Sequence, residues 1–182
     1  MHKTRYFKHQ LLTLSFILTI SISSAQNTIW RVGLGAGLPD LLHLAIGYDV
    51  SPRNLIILSG SYISTPSSRY QGITLRHNYF FSFSKKPESL NRWYFGQKVN
   101  YVIDDLNRNS GELFRSQNKT LLLGLDLGRQ FHISNRFTAN FDLGVGFNVF
   151  NESEFINRDG DIVDFDTNPV YFTSNLTFFY RI

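Results

Sequence analysis

From residue 137 to residue 150 the chain reads FTANFDLGVGFNVF, so that Phe137, Ala139, Phe141, Leu143, Val145, Phe147 and Val149 alternate with Thr138, Asn140, Asp142, Gly144, Gly146 and Asn148. Strict period two places the first set on one face of a strand and the second on the other. Strands of soluble domains usually hold such a pattern for about five or six residues. The last residues behave in the same way. Val170, Phe172, Ser174, Leu176, Phe178, Tyr180 and Ile182 share one face, and Tyr171, Thr173, Asn175, Thr177, Phe179 and Arg181 share the other. A long strand with one apolar and one mostly polar face suits lipid on one side and a wet or polar interior on the other.

The same signature recurs along the chain. Eight alternating segments, bounded by Gly, Pro, Asn, Asp or Ser clusters, fall at roughly 27–37, 40–50, 54–64, 70–83, 91–103, 118–133, 136–150 and 169–182. Leu121, Leu123, Leu125 and Leu127 oppose Gly124, Asp126 and Gly128 in the sixth, and Leu42, Leu44, Ile46, Tyr48 and Val50 oppose His43, Ala45, Gly47 and Asp49 in the second. The third, NLIILSGSYI, is nearly uniform and leaves its faces unassigned. An even number lets an antiparallel barrel bring both of its ends to one side of a membrane.

Residues 1–25 read as a cleaved signal peptide: Lys3, Arg5 and Lys8 precede the apolar LLTLSFILTISI, and Ser23, Ser24 and Ala25 form a small-residue cleavage site before Gln26. The apolar core is too short to span a bilayer as a helix; a retained signal anchor is the alternative. Residues 26–182 are then one barrel domain. The leader takes three basic residues with it, so the whole-chain net charge of +4 leaves no basis for nucleic-acid binding. The chain has no cysteine, which excludes disulfides, thiolate metal sites and thiol nucleophiles.

Connection lengths give a topology. With the mature N-terminus in the periplasm, SPRN (51–54), SKKPESLN (84–91) and SNR (134–136) are inner turns. GAGLPD (35–40), STPSSRYQ (64–71), DDLNRNSGELFRSQNK (104–119) and an acidic segment from 151 to about 169 are outer loops. Trp30, Tyr48, Phe81, Phe83, Trp93, Phe131, Phe137 and Tyr180 then lie at the outward parity near the periplasmic strand ends, as one aromatic girdle. A strand of about ten residues tilted about 45° crosses the hydrocarbon layer, and closure removes unpaired backbone edges from lipid. The fold expected is all-β: an eight-stranded antiparallel up-and-down transmembrane β-barrel. In this architecture the mature chain resembles the small eight-stranded outer-membrane barrels of the OmpA transmembrane-domain and OmpX-like type, in the form common in Bacteroidota. Its last strand is similar to the signature read by the barrel-assembly machinery, with Ile182 where Phe is usual. The resemblance implies the outer membrane of a Gram-negative bacterium and a monomer among lipid and lipopolysaccharide, and says little of activity.

Three stretches invite chemical readings. His132, Ser134 and Asn135 in FHISNRF look like the His-x-Ser-Asn segment of outer-membrane lipid A deacylases, with Ser134 as nucleophile and His132 as base. The topology places them at a periplasmic turn, away from outer-leaflet acyl chains, and Gly144, Val145 and Gly146 stand where an acid is wanted. A tight Ser-Asn-Arg turn is the plainer account. Asn157, Asp159 and Asp161 have calcium-loop spacing, but Ile162 and Asn168 replace the required Gly and Glu, so an acidic protruding hairpin is expected instead. The glycines of GLGAG precede no helix and do not form a phosphate loop. No cofactor or metal is implied.

The inward parity collects Arg31, His43, Asp49, Arg76, Lys98, Asp126, Asp142 and Arg181. Side chains just fill an eight-stranded barrel, and an isolated buried charge is costly unless paired. Two luminal ion-pair clusters are therefore expected, Arg31, Asp49 and Arg181 in the periplasmic half and Arg76, Lys98, Asp126 and Asp142 nearer mid-depth. The function expected is structural or surface-interacting, without a catalytic site. A barrel hydrolase using His132 and Ser134, and a small passive channel, are the alternatives.

Overall fold

The computed structural model describes residues 29–65, 67–81, 92–110, 112–156 and 170–182, with the backbone alone at 106–110, 112–116 and 153–156. The leader at 1–25, Phe83, the turn at 84–91 and the acidic segment at 157–166 lie outside the described residues. Among these residues eight strands occur in chain order: β1 (Trp30–Leu38), β2 (Leu41–Ser51), β3 (Asn54–Ser64), β4 (Ser68–Phe81), β5 (Arg92–Ser110), β6 (Glu112–His132), β7 (Phe137–Ile156) and β8 (Val170–Arg181). Each pairs antiparallel with the next, and β8 returns to β1, so the sheet is a closed up-and-down barrel.

Closure explains the regularity of the last strand. The β1–β8 ladder runs from Arg31 opposite Arg181 to Leu38 opposite Ser174. Beyond it the Ile182 amide donates to Trp30 O at 3.0 Å, and the Arg181 amide to Arg136 O at 2.9 Å. With a neighbour on both sides, the final residues have no free edge to fray from. Both described ends of the barrel, Trp30 and Ile182, lie on one rim together with the turns at 52–53 and 133–136. This is the proximal rim; the turn at 39–40 and the far ends of the β3–β4 and β5–β6 ladders, at Ser64 and Ser110, mark the distal one.

The two faces divide by polarity. Leu34, Leu44, Leu58, Ile73, Leu125, Leu143 and Phe178 are exposed on the outer wall, whereas Asn78, Asn100, Asp126, Asn140, Asp142 and Thr173 are buried inside. Trp30, Trp93, Phe131 and Phe137 are exposed outward near the proximal rim. Trp30 packs on Tyr48 and Phe137 on Tyr180, with ring centroids 4.7 and 5.0 Å apart. The Arg129 guanidinium lies 5.4 Å from the Trp93 ring centre and 5.2 Å from that of Phe131. His77 and Gln97, facing each other across β4 and β5, interrupt the apolar belt; His77 Nε2 is 3.0 Å from Asn54 Oδ1.

All four outer loops are shorter than the sequence reading makes them: β4 already begins at Ser68 within STPSSRYQ, and β7 continues to Ile156 into the acidic segment. GAGLPD shrinks to a two-residue turn, Pro39 and Asp40, because β1 continues through Leu38. The stretch at 104–119 is largely strand: β5 and β6 stay paired from Arg92 opposite Gln130 to Ser110 opposite Glu112. Its charged residues argue for a loop only if polarity decides pairing. Backbone hydrogen bonds hold a ladder whatever the side chains outside an apolar belt. β4 leaves this ladder at Ser68 opposite Leu106, while β7 stays on β6 as far as Ile156 opposite Arg115. The barrel wall therefore rises as a ribbon on the distal side.

Candidate functional site

The alternation that builds the wall also turns every second residue to the lumen, most of them polar, and the lumen is where the chain's chemistry is concentrated. Arg31, Asp49, Arg76, Lys98, Asp126 and Asp142 are all buried there. Near the proximal rim Arg31 donates from Nε to Asp49 Oδ2 at 2.9 Å and from Nη2 to Asp49 Oδ1 at 2.7 Å, a bidentate pair. Deeper, Arg76 Nη1 donates to Asp142 Oδ2 at 2.7 Å. The same oxygen accepts from Tyr94 Oη at 2.7 Å and Asn175 Nδ2 at 3.1 Å. Lys98 Nζ makes an ionic contact of 3.1 Å with Asp126 Oδ1, which also accepts from Thr173 Oγ1 at 2.7 Å. His43 is buried with Nε2 3.1 Å from Thr177 Oγ1.

Arg181 stands apart from these pairs. It is half-buried beside Arg31 across the β1–β8 seam, but Asp49 is engaged by Arg31. Among the described residues Arg181 makes no ion pair, and its buried Nε has no hydrogen-bond partner.

Two features of the lumen escape the sequence. The first is an apolar layer of Ala45, Leu55, Ile57, Phe80, Tyr94 and Phe179, all buried inside the barrel. Leu55 and Ile57 are its contribution from β3, which explains why that strand is apolar on both faces. Glycine makes room for the large rings. A Cβ on Gly128 would run into the Tyr94 ring, and one on Gly33 would lie 2.7 Å from that of Phe179. The second feature is Asp40. From the β1–β2 turn it folds into the barrel, where it is 4% exposed. There Thr74 Oγ1 donates to its Oδ1 at 2.8 Å and Asn100 Nδ2 donates to the same atom. The adjacent Pro39 carbonyl accepts from Tyr70 Oη. Turn residues have no parity to read, so Asp40 carries no inward signal in the sequence.

His132 and Ser134 lie at the proximal rim, at the end of β6 and in the turn that follows. The Ser134 hydroxyl accepts from the Phe137 amide at 3.1 Å and the Arg136 amide at 3.4 Å, the bonding of a serine that closes a tight turn. His132 is half-buried at the inward parity of β6. The structure thus brings neither an acid to His132 nor His132 to the Ser134 hydroxyl among the described residues. The Asn157, Asp159 and Asp161 spacing lies outside them.

No protein-family model and no curated protein matches the chain. Solved structures do match its fold. The N-terminal β-barrel domain of Pseudomonas aeruginosa OprF superposes with a TM-score of 0.59 at 14% sequence identity, over 87% of this chain and 100% of that one. A major outer membrane protein from Thermus thermophilus gives a TM-score of 0.57 at 15% identity, over 86% of this chain and 100% of that one. At such identities the likeness is one of fold: a small closed eight-stranded barrel.

Proposed function

We propose that the chain is an outer-membrane β-barrel of a Gram-negative bacterium, exported behind a cleaved leader at 1–25, with a structural or surface-interaction role and a sealed lumen. The observation that carries this reading is the inversion of the barrel. Its outer wall exposes Leu, Ile, Val and Phe, and its interior buries Asp, Asn, Arg and Lys. Water outside would make that arrangement unfavourable on both counts. Lipid outside makes it the expected one. The girdle of Trp30, Trp93, Phe131 and Phe137 suits one interface, and the short turns of the proximal rim suit the periplasm.

On this reading the distal ribbon of β5, β6 and β7 is what the barrel presents outside the cell, among lipopolysaccharide. The barrel works as a monomer and reaches the membrane through the barrel-assembly machinery. The lumen favours a plug over a passive channel, because an apolar layer and three ion pairs occupy it. For the hydrolase alternative, the turn bonding of Ser134 leaves that hydroxyl serving the backbone.

Fractionation with gel migration tests the reading. The expected protein is in the outer membrane and migrates faster unheated than boiled, since a closed barrel resists detergent unfolding. A soluble product whose migration is indifferent to heating would overturn it.

A further inference from the structure

The pairing of charges inside the barrel is balanced at mid-depth and unbalanced at the proximal mouth. Arg31, Arg92, Arg181 and His132 all occupy inward positions there, on β1, β5, β8 and β6. They act on one another. Arg31 lies in the repulsive field of Arg181 and Arg92, and His132 in that of Arg181, Arg92 and Arg31. Among the described residues the mouth offers one side-chain carboxylate, Asp49, and Arg31 holds it with two of its three nitrogens.

The floor beneath is apolar. The Arg92 guanidinium lies 5.7 Å from the ring centre of Phe80, a member of the buried apolar layer, while its Nη1 donates to Pro52 O at 2.8 Å. That anchor ties β5 to the β2–β3 turn and fixes the guanidinium at the mouth. Two donors are left over. Arg31, 3% exposed, has a buried Nη1 with no partner, and Arg181 has a buried Nε with none.

Among the described side chains, three guanidinium groups and one carboxylate leave an excess of positive charge against an apolar floor. Arg92 and Arg181 are half-buried beside the paired Arg31, and like charges held against an apolar floor are screened by mobile ions less than fully exposed ones. A bound anion removes the imbalance. Guanidinium forks match the oxygens of phosphate and carboxylate groups rather than a spherical halide. We infer that the proximal mouth of the lumen is a binding site for a small oxyanion group, phosphate or carboxylate, held by Arg31 Nη1, Arg181 and Arg92, with His132 completing the wall.

The site goes beyond the proposed function and does not depend on it. Localisation and heat-modifiable migration do not involve the mouth, so the two can fail separately. The test uses the refolded chain in an uncharged maltoside detergent, titrated at constant ionic strength with sodium phosphate, sodium acetate or sodium chloride. Side-chain Nε resonances of arginine and the midpoint of urea unfolding are followed together. Phosphate, acetate or both should shift the arginine signals saturably and raise the midpoint, whereas chloride should do neither. Whichever of the two binds more tightly separates a phosphoryl source from a carboxylate one. Arg181→Gln should weaken that binding at least about tenfold, the loss of one charged hydrogen bond. Arg136→Gln, on the same rim but donating outward to Tyr180 Oη, should change it by less than about twofold. Heat-modifiable migration checks that each variant has closed, and Arg92→Gln serves where Arg181→Gln has not. Equal responses to chloride and the oxyanions, no saturation, or an equal loss in Arg136→Gln would overturn the site.

Discussion

Asp142 is the most heavily engaged carboxylate of the lumen, and its removal has consequences that can be worked through atom by atom. It is fully buried, and its Oδ2 holds Arg76, Tyr94 and Asn175 at 2.7, 2.7 and 3.1 Å. Asp142→Ala would leave the Arg76 guanidinium, itself buried, without its partner. Breaking a buried pair in this way costs roughly 3–5 kcal/mol. The two neutral donors add less than their separate values. Asn175 already donates to Thr177 Oγ1 at 3.0 Å, and Asp126 lies close enough to attract Arg76. A total of about 3–5 kcal/mol is therefore expected. Removing both charges should hurt less than removing one: the double variant Asp142→Ala with Arg76→Met leaves neither ion of this pair behind without its partner. The cycle should show a coupling of about 2 kcal/mol or more. The assay is reversible urea unfolding in lipid vesicles, followed by the fluorescence of Trp30 and Trp93 and extrapolated to zero denaturant. A coupling below about 0.5 kcal/mol would refute the reasoning, because water entering the lumen would then be compensating each charge separately.

Other expectations follow from the same contacts. Tyr94→Phe removes one hydrogen bond to a carboxylate and should cost about 1.5–3 kcal/mol in the same unfolding assay. Gly128→Ala drives a methyl into the Tyr94 ring and should cost about 1–3 kcal/mol. Gly60→Ala, where the nearest atom to a new Cβ is 4.0 Å away, should change stability by less than about 1 kcal/mol; equal effects at the two glycines would show that the Tyr94 ring does not rest on the wall. Ser134→Ala should leave the lipid A acylation pattern of the producing cells unchanged, read by mass spectrometry. Loss of a deacylated species in that variant alone would restore the hydrolase alternative.

How legible the fold is in the sequence depends on what each residue faces. Where an apolar outer wall lies on one side and the polar lumen on the other, as along Phe137 to Val149, parity alone gives the face of each side chain. β3 resists because Leu55 and Ile57 face an apolar layer inside while Ile56 and Leu58 face outward, so both sides ask for the same residue type. Beyond the belt the contrast vanishes. Asp104, Asp105 and Lys119 look like loop residues, yet the β5–β6 ladder continues through them, since a backbone ladder needs no side-chain polarity. The inward ionisable residues of the strands can be read by counting, but which charges meet cannot. Arg76 on β4 and Asp142 on β7 come together across the lumen, a contact that strand order does not determine. The inward fold of Asp40 depends on local turn geometry, to which period two is blind, whereas the Ser134 turn is legible from its Ser-Asn-Arg composition.

The sealed lumen is the claim on which the functional account turns, and its conductance in a planar bilayer tests it most directly. Insertion is first established in vesicles, where brominated lipids should quench Trp30 and Trp93 on the outer wall. The same preparation, fused to a planar bilayer, should then show no steady open level above the bare membrane, because the layer formed by Phe80, Tyr94 and Phe179 and the three ion pairs leave ions no continuous wet path. A large, persistent ohmic conductance from the inserted wild-type monomer would contradict the plug and make the barrel a channel.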